Sequence, residues 1–408
     1  MNPCFEVDAS CKMSYIMSNQ HEFSEIAPFE DSQFSEKMAQ LVTEPGFEHA
    51  VRSVMPDVDY PEFRNKLLTI PDKQTLQTKV MWPFLEMLCQ KTTSGITEGG
   101  LENAHPDMAY TYISNHRDIV LDASFLNLCF LRAGRRTSEI AIGDNLLIYE
   151  WITDLVKLNK SFVVKRNVRL TKALEAARQL SAYIHYAVGQ KKESVWIAQR
   201  EGRAKDSNDI TQESLVKMLS LEGGADTARN IEAINLIPVS ISYEYDPNDY
   251  LKAREFLLRR IDPDFKKSPH DDLLSMETGM LQYKGHVHFQ LGECINDKLR
   301  EFIDVTDRSE VVHRVCAIID NSIHSGYRIY PVNYIAYDLL HHHEDHKSCY
   351  TDAQAADFEH YIDGQLDKVE LPDVSKLDRA FMREMMLTMY ANPLKNKISA
   401  TGTDCCGD

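Results

Sequence analysis

The residues with the clearest chemical potential lie in the stretch Met108-Ala-Tyr-Thr-Tyr-Ile-Ser-Asn-His-Arg-Asp-Ile-Val-Leu-Asp122. Its pattern predicts a short buried strand from Met108 to Ile113 and a polar turn at Ser114-Asn115. Asp122 then opens an apolar run over 123–131. His116 stands on the turn. A carboxylate less than two helical turns away, Asp122 or the nearer Asp118, is placed to hold a neutral imidazole in one tautomer. An imidazole held in that way takes a proton from an alcohol at neutral pH. By itself the stretch also fits a plain surface turn rich in His, Arg and Asp, so its meaning depends on what accompanies it.

Three further stretches accompany it. Lys160-Ser-Phe-Val-Val-Lys-Arg166 reads as a strand that delivers Lys165 and Arg166 to its C-terminal end, with Lys157, Arg169 and Lys172 around it. A planar guanidinium fork beside an ammonium suits a phosphate, although a solvated helix edge is the commoner origin of such a charge run. Val195-Trp-Ile-Ala-Gln-Arg-Glu-Gly-Arg203 reads as a strand ending in Arg200-Glu201-Gly202-Arg203. There Gly202 permits a sharp turn, Arg203 adds a second fork, and Glu201 either orients the arginines or accepts from a substrate hydroxyl. A strand and turn with paired charges would look the same. The last stretch, Ile234-Asn-Leu-Ile-Pro-Val-Ser-Ile-Ser-Tyr243, is an apolar strand containing Pro238, which predicts an edge or bulged strand.

The elements that must position these residues follow from periodicity. Short apolar runs at 108–113, 138–142, 161–165, 194–199 and 236–243 alternate with helical patterns near 121–133, 145–158, 168–190 and 211–230. This predicts an α/β fold, a largely parallel mixed sheet flanked by helices, with its polar residues gathered just after the strands. Residues 1–35 are polar and irregular, and a helical N-terminal layer runs from 36 to 91, broken near Pro56, Pro61, Pro71 and Pro83. Ser94-Gly-Ile-Thr-Glu-Gly-Gly100 marks a boundary. A strand at 286–291 and helical patterns near 308–323, 333–341, 353–367 and 375–390 predict a mostly helical C-terminal extension. The expected division is 1–100 (a disordered start plus the helical layer), 101–300 (the α/β domain) and 301–408 (the extension).

In this order and spacing the four stretches resemble the glycerol-3-phosphate and 1-acylglycerol-3-phosphate O-acyltransferases. That family has a His-x4-Asp block, a Gly-x-x-Phe-x-x-Arg block, a Glu-Gly block and a proline-bearing apolar strand. Here Asn115-His116-Arg117, Phe162 to Arg166, Glu201-Gly202-Arg203 and Pro238-Val239 match them in turn. The likeness covers about 105–245 and extends weakly through 286–291 and Tyr330-Pro-Val-Asn333. Two departures matter. The family's aspartate would fall at 121, which is Leu121; Asp122 lies one residue later and Asp118 three earlier. Asn159 stands where the family often has glycine, Arg166 falls one residue late, and Gly143-Asp-Asn145 is a second candidate piece of that block.

The resemblance implies acyl transfer from an acyl thioester to a hydroxyl of glycerol-3-phosphate or its 1-acyl product, without metal or cofactor. His116 would be the general base, with Asp122 or Asp118 as its partner. Arg117, Lys165, Arg166, Glu201, Gly202 and Arg203 would bind the acceptor. It leaves open coenzyme A or acyl carrier protein as donor; Arg132, Arg135 and Arg136 with the lysines of 157–172 would offer an acidic carrier a basic patch. It also implies a cytoplasmic protein, peripheral on the inner face of the membrane. Two other readings are weighed beside it: an O-acyltransferase for another lysolipid acceptor, and a non-catalytic lipid-binding homologue.

Composition sets limits. The 408 residues are 43% hydrophobic and 26% charged, with a net charge of −17, which argues against a general nucleic-acid surface. Nine scattered cysteines without a Cys-x-x-Cys pair suggest reduced thiols. No signal sequence and no spanning apolar run is read. The stretch Val80–Cys89 is either a membrane-surface helix or a helix of the protein's own core. His116-Arg117-Asp118 mimics a kinase catalytic loop, but Ala123 stands where such a loop needs asparagine. His341, His342, His343 and His346 read as a polar helix end rather than a metal site, and His286 and His288 as strand residues.

Overall fold

The computed structural model describes residues 23–403 apart from 167, 304 and 373. The expectation of a disordered start falls mostly on residues 1–22, and Cys405-Cys406 also lies outside the described residues. The chain gathers into two compact units that interleave in sequence. The larger takes Met81–Ser138 and Ile184–Asp408; the smaller takes Met1–Val80 and Glu139–Tyr183. The expected divisions at 100 and 300 do not coincide with them.

The larger unit is built on a mixed sheet of β1 (Gly95–Gly99), β2 (Thr111–Ser114), β5 (Val195–Ala198), β6 (Leu236–Tyr243) and β7 (His286–Leu291). Their order is β1-β7-β6-β2-β5, and every pair is parallel except β6 with β7. Every residue of β2 and β6 is buried, as expected of strands covered on both faces.

Pro238 corrects one expectation. β6 is an interior strand, not an edge. The proline sits where the antiparallel ladder stops: Val239 opposes Leu291, and Pro238 accepts from Gly292 N–H without having to donate in return.

β1 corrects another. The Gly-rich segment taken as a boundary is an edge strand on β7, with a single apolar residue, Ile96, turned inward. Its last glycines are needed for close approach: Gly100 has φ +70°, and a Cβ there would overlap the carbonyl oxygen of Leu291.

Helices pack around this sheet. α1 (Trp82–Thr92) buries Leu85, Leu88 and Cys89 within its own unit, the core alternative for the Val80–Cys89 stretch. α2 (Leu121–Arg132) follows the His116 turn and is buried at nearly every position. The pattern expected as one helix over 211–230 is two, Glu213–Leu219 and Thr227–Glu232, parted by a turn at Gly223-Gly224.

The sequence pattern missed α3 (Asp249–Ile261) and α4 (Pro269–Leu281). In α3 the inward positions include Asp249, Lys252 and Glu255, so the apolar period is broken by polar residues that are themselves buried. α5 (Arg308–Ser325), α6 (Pro331–His341), α7 (Asp352–Asp367) and α8 (Lys376–Thr401) complete the unit. Phe358, Ile362, Met382, Met386 and Tyr390 form their core with Leu257 of α3.

In the smaller unit β3 (Glu139–Gly143) and β4 (Ser161–Val164) pair in parallel. They pack with helices Asp31–Leu41, Pro45–Val54, Tyr60–Leu68 and Glu150–Leu158, the first three supplying the expected N-terminal helical layer. Tyr183 ties this core together, meeting Phe23 and Phe162 ring to ring and donating to Glu139 at 2.5 Å.

Among the described residues, no helix is long and apolar enough to cross a membrane. Cys89, Cys129, Cys294 and Cys316 are free thiols. Cys349 is disulfide-bonded, so the expectation of reduced cysteines does not hold for it.

Candidate active site

The chain leaves β2 at Ser114 and is pinned at once. Asn115 is fully buried and pairs with β6 as a strand residue would, donating to Ile241 O at 2.9 Å and accepting from Ile241 N at 2.8 Å. Ser114 Oγ donates to Asn115 O and accepts from Trp196 Nε1 of β5 at 3.0 Å. The edge of Trp196 meets the His116 ring, with centroids 5.8 Å apart. The imidazole thus stands against a buried indole at the C-terminal end of the parallel strands.

His116 Nδ1 lies 2.8 Å from Asp122 Oδ2. The same oxygen accepts from Arg117 N at 2.7 Å and Asp118 N at 3.0 Å, and Asp122 is wholly buried at the start of α2. Three donors thus converge on this one oxygen, two of them backbone N–H groups at the turn leading into α2. His116 Nε2 has no hydrogen bond to any described residue. The one-residue shift from the family spacing is absorbed by α2, where Asp122 is the second helical residue and reaches back over the turn.

Asp118 has a different place. Its Oδ1 accepts from Val120 N at 2.9 Å and Leu121 N at 2.8 Å, so it caps α2 instead of touching the imidazole. Burial raises its pKa, and the nearby Asp122 raises it further. Behind it α4 comes so close that a methyl group on Gly279 would overlap Asp118 Oδ2.

Arg117, expected to touch substrate, is committed to the interior. Its guanidinium is buried and pairs with Asp209 Oδ2 at 2.6 Å. The Tyr327 hydroxyl donates to the same carboxylate, and the Tyr327 ring lies 5.8 Å from the guanidinium carbon. Burial opposes the charge of Arg117, but Asp209, Tyr327, Asp246 and Asp122 together outweigh it and hold the pKa above the ordinary range. Lys252, also buried, pairs with Asp246 and donates to Arg117 O at 3.3 Å. The His116 turn is thereby fixed from beneath by ionic groups contributed by distant segments. Sequence reasoning missed Asp209, Lys252 and Tyr327, and no local motif announces them.

Arg203 is the candidate cation that remains near the turn. It is half-buried, lies close enough to Asp118 to favour that group's charge, and donates from Nη1 to the Asn248 amide oxygen at 3.3 Å. Gly202 has φ +69° with open space where a Cβ would stand, and Glu201 is exposed, with its N–H donating to Gln212.

Lys165 and Arg166 belong to the smaller unit. Lys165 is ion-paired with Glu25 at 2.5 Å. Arg166 N donates to Asp144 Oδ1 at 3.0 Å, and its Nη1 to Asn145 Oδ1 at 3.4 Å, joining it to the Gly143-Asp-Asn145 loop. The proposed carrier patch is largely engaged elsewhere. Arg132 is bidentate to Glu86, Arg135 donates to Ala104 O, and Arg136 donates to Lys192 O. His346 is held by Asp338 at 3.0 Å.

A search of curated proteins found no match to the chain. Residues 95–242 match the family model described as Acyltransferase. That stretch of the chain is similar to the acyltransferase family. The matched stretch opens on β1, closes within β6, and contains His116, Asp122 and Arg203, the part of the chain in which the motifs were read. A likeness also exists to the crystal structure of the 1-acyl-sn-glycerophosphate (LPA) acyltransferase PlsC from Thermotoga maritima. It has 12% identity and a TM-score of 0.35, and spans 72% of this chain and 95% of that one. At that TM-score the likeness carries no argument.

Proposed function

We propose that the protein is a glycerolipid O-acyltransferase that moves a fatty acyl group from an acyl thioester to a hydroxyl of glycerol-3-phosphate or 1-acylglycerol-3-phosphate. The reading rests on one observation above all: His116 is held at Nδ1 by the buried Asp122, at 2.8 Å, while Nε2 is left without a partner among the described residues. That is the tautomer and orientation a general base needs.

In this mechanism Nε2 takes the proton of the acceptor hydroxyl as its oxygen attacks the thioester carbonyl. The tetrahedral intermediate then collapses with cleavage of the C–S bond, and the imidazolium returns its proton to the leaving thiolate. Asp122 holds the ring and stabilises the transient positive charge. Arg203 is the group of this unit assigned to the acceptor phosphate. The free cysteines have no part as nucleophiles; burial raises the pKa of Cys129, Cys294 and Cys316. The donor is either acyl-coenzyme A or acyl carrier protein, and the reaction takes place at the membrane surface where the product resides.

The test is thiol release from a long-chain acyl thioester in the presence of glycerol-3-phosphate or a lysophosphatidate. Release that requires one of these acceptors, and falls by about 10²–10⁴ in His116→Ala, is the expected result. No release with either acceptor, from folded protein, would move the assignment to another acceptor, and release that persists without His116 would overturn the mechanism.

A further inference from the structure

In the larger unit, a groove of about 610 Å³ lies along β7 and α5 and includes neither His116 nor Asp122 in its walls. Its charge is out of keeping with a chain of net charge −17. Lys298, Arg328 and Lys397 all line it, together with His288 of β7, and the only carboxylate in its walls is that of Glu293. None of the three cations forms an ion pair among the described residues. Lys397 Nζ donates to Tyr327 O at 2.7 Å, and His288 Nδ1 lies 2.8 Å from Thr97 Oγ1.

These groups sense one another. Burial lowers the His288 pKa, and Arg328 and Lys397 lower it further. Cations gathered in a concave site repel one another and raise the local concentration of anions. The size of the groove suits a small organic ligand. We propose that this groove binds a phosphate-bearing organic anion of about nucleotide size, with Arg328 as the planar fork and Lys298 and Lys397 as point charges.

The proposal is tested by calorimetric titration of the full chain with adenosine 3′,5′-bisphosphate and, separately, inorganic phosphate. Binding of the bisphosphate is expected, weakening as salt rises. Undiminished binding is expected in His116→Ala. Exposed Arg328 and Lys298 allow a double variant, Arg328→Gln with Lys298→Gln, and its affinity should fall by roughly tenfold or more. The charge-preserving pair Arg328→Lys with Lys298→Arg should bind within a few-fold of the unaltered chain, which separates lost charge from lost folding. Tighter binding of the bisphosphate than of inorganic phosphate supports a nucleotide-sized ligand; equal affinity for the two overturns that size assignment. The proposal as a whole is overturned if the unaltered chain binds neither anion, if the neutral double variant binds as tightly, or if His116→Ala abolishes binding.

Discussion

Asp118 and Asp122 are four residues apart and both buried, yet they have separate tasks. Asp122 faces the imidazole and Asp118 caps the helix that carries Asp122. Replacing Asp122 by Asn keeps the shape but removes the charge and allows the wrong tautomer. We expect kcat to fall by about 10²-fold or more while the melting temperature changes little. Asp118→Ala should do the reverse, lowering stability by roughly 1–2 kcal/mol with a smaller loss of kcat. Equal catalytic losses in the two variants would remove the distinction. His116 and both aspartates were legible in the sequence because they occupy one short stretch. The choice between the two carboxylates was not, since it depends on how α2 turns back over the loop. Arg117 was misread for a related reason: its partner Asp209 is 92 positions away, and nothing local shows that its guanidinium is enclosed.

At the scale of elements, the turn carrying His116 is positioned by contacts from β6, β5, α3 and α4. The contact with α4 is the tightest, because Gly279 lets that helix lie directly against Asp118. Gly279→Ala should therefore cost about 1–3 kcal/mol by overpacking, despite the better helix propensity of alanine. Chemical denaturation measures this, and a stabilised variant would show that the two elements have room to part. The parallel strands were readable from their apolar runs, and β6 and β7 agree with the expected bounds to the residue. β1 escaped notice because an edge strand with one inward apolar residue looks like a glycine-rich joint. α3 escaped because its buried face is ionic.

At the scale of the whole molecule, the larger unit combines an α/β sheet with a helical assembly whose base is polar. Asp249, at the start of α3, accepts from Tyr361, Tyr390 and Gln365 and is wholly buried. Burial, reinforced by Asp246, raises its pKa from 3.8 to about 6. Between those values the native state keeps a proton that the unfolded chain has lost, so this group makes stability fall as pH rises from about 4 to 6, with no further change above. The shift amounts to about 3 kcal/mol. Compared with Asp249→Asn, the unaltered chain should lose that much stability across the window, as measured by denaturant titration at each pH. A constant difference between the two would show that the carboxyl titrates normally.

The interleaving of the two units also bears on how the chain is made. The first eighty residues belong to a unit whose remaining part ends at Tyr183, so they cannot complete it as they leave the ribosome. At ordinary rates of synthesis they wait roughly 5–20 s for their missing strands. The first piece of the larger unit, Met81–Ser138, carries His116 and waits longer still. During that interval buried faces of both units are exposed together, which makes the nascent chain a natural client for holding chaperones. It also means that no single truncation can deliver either unit by itself, free of a piece of the other.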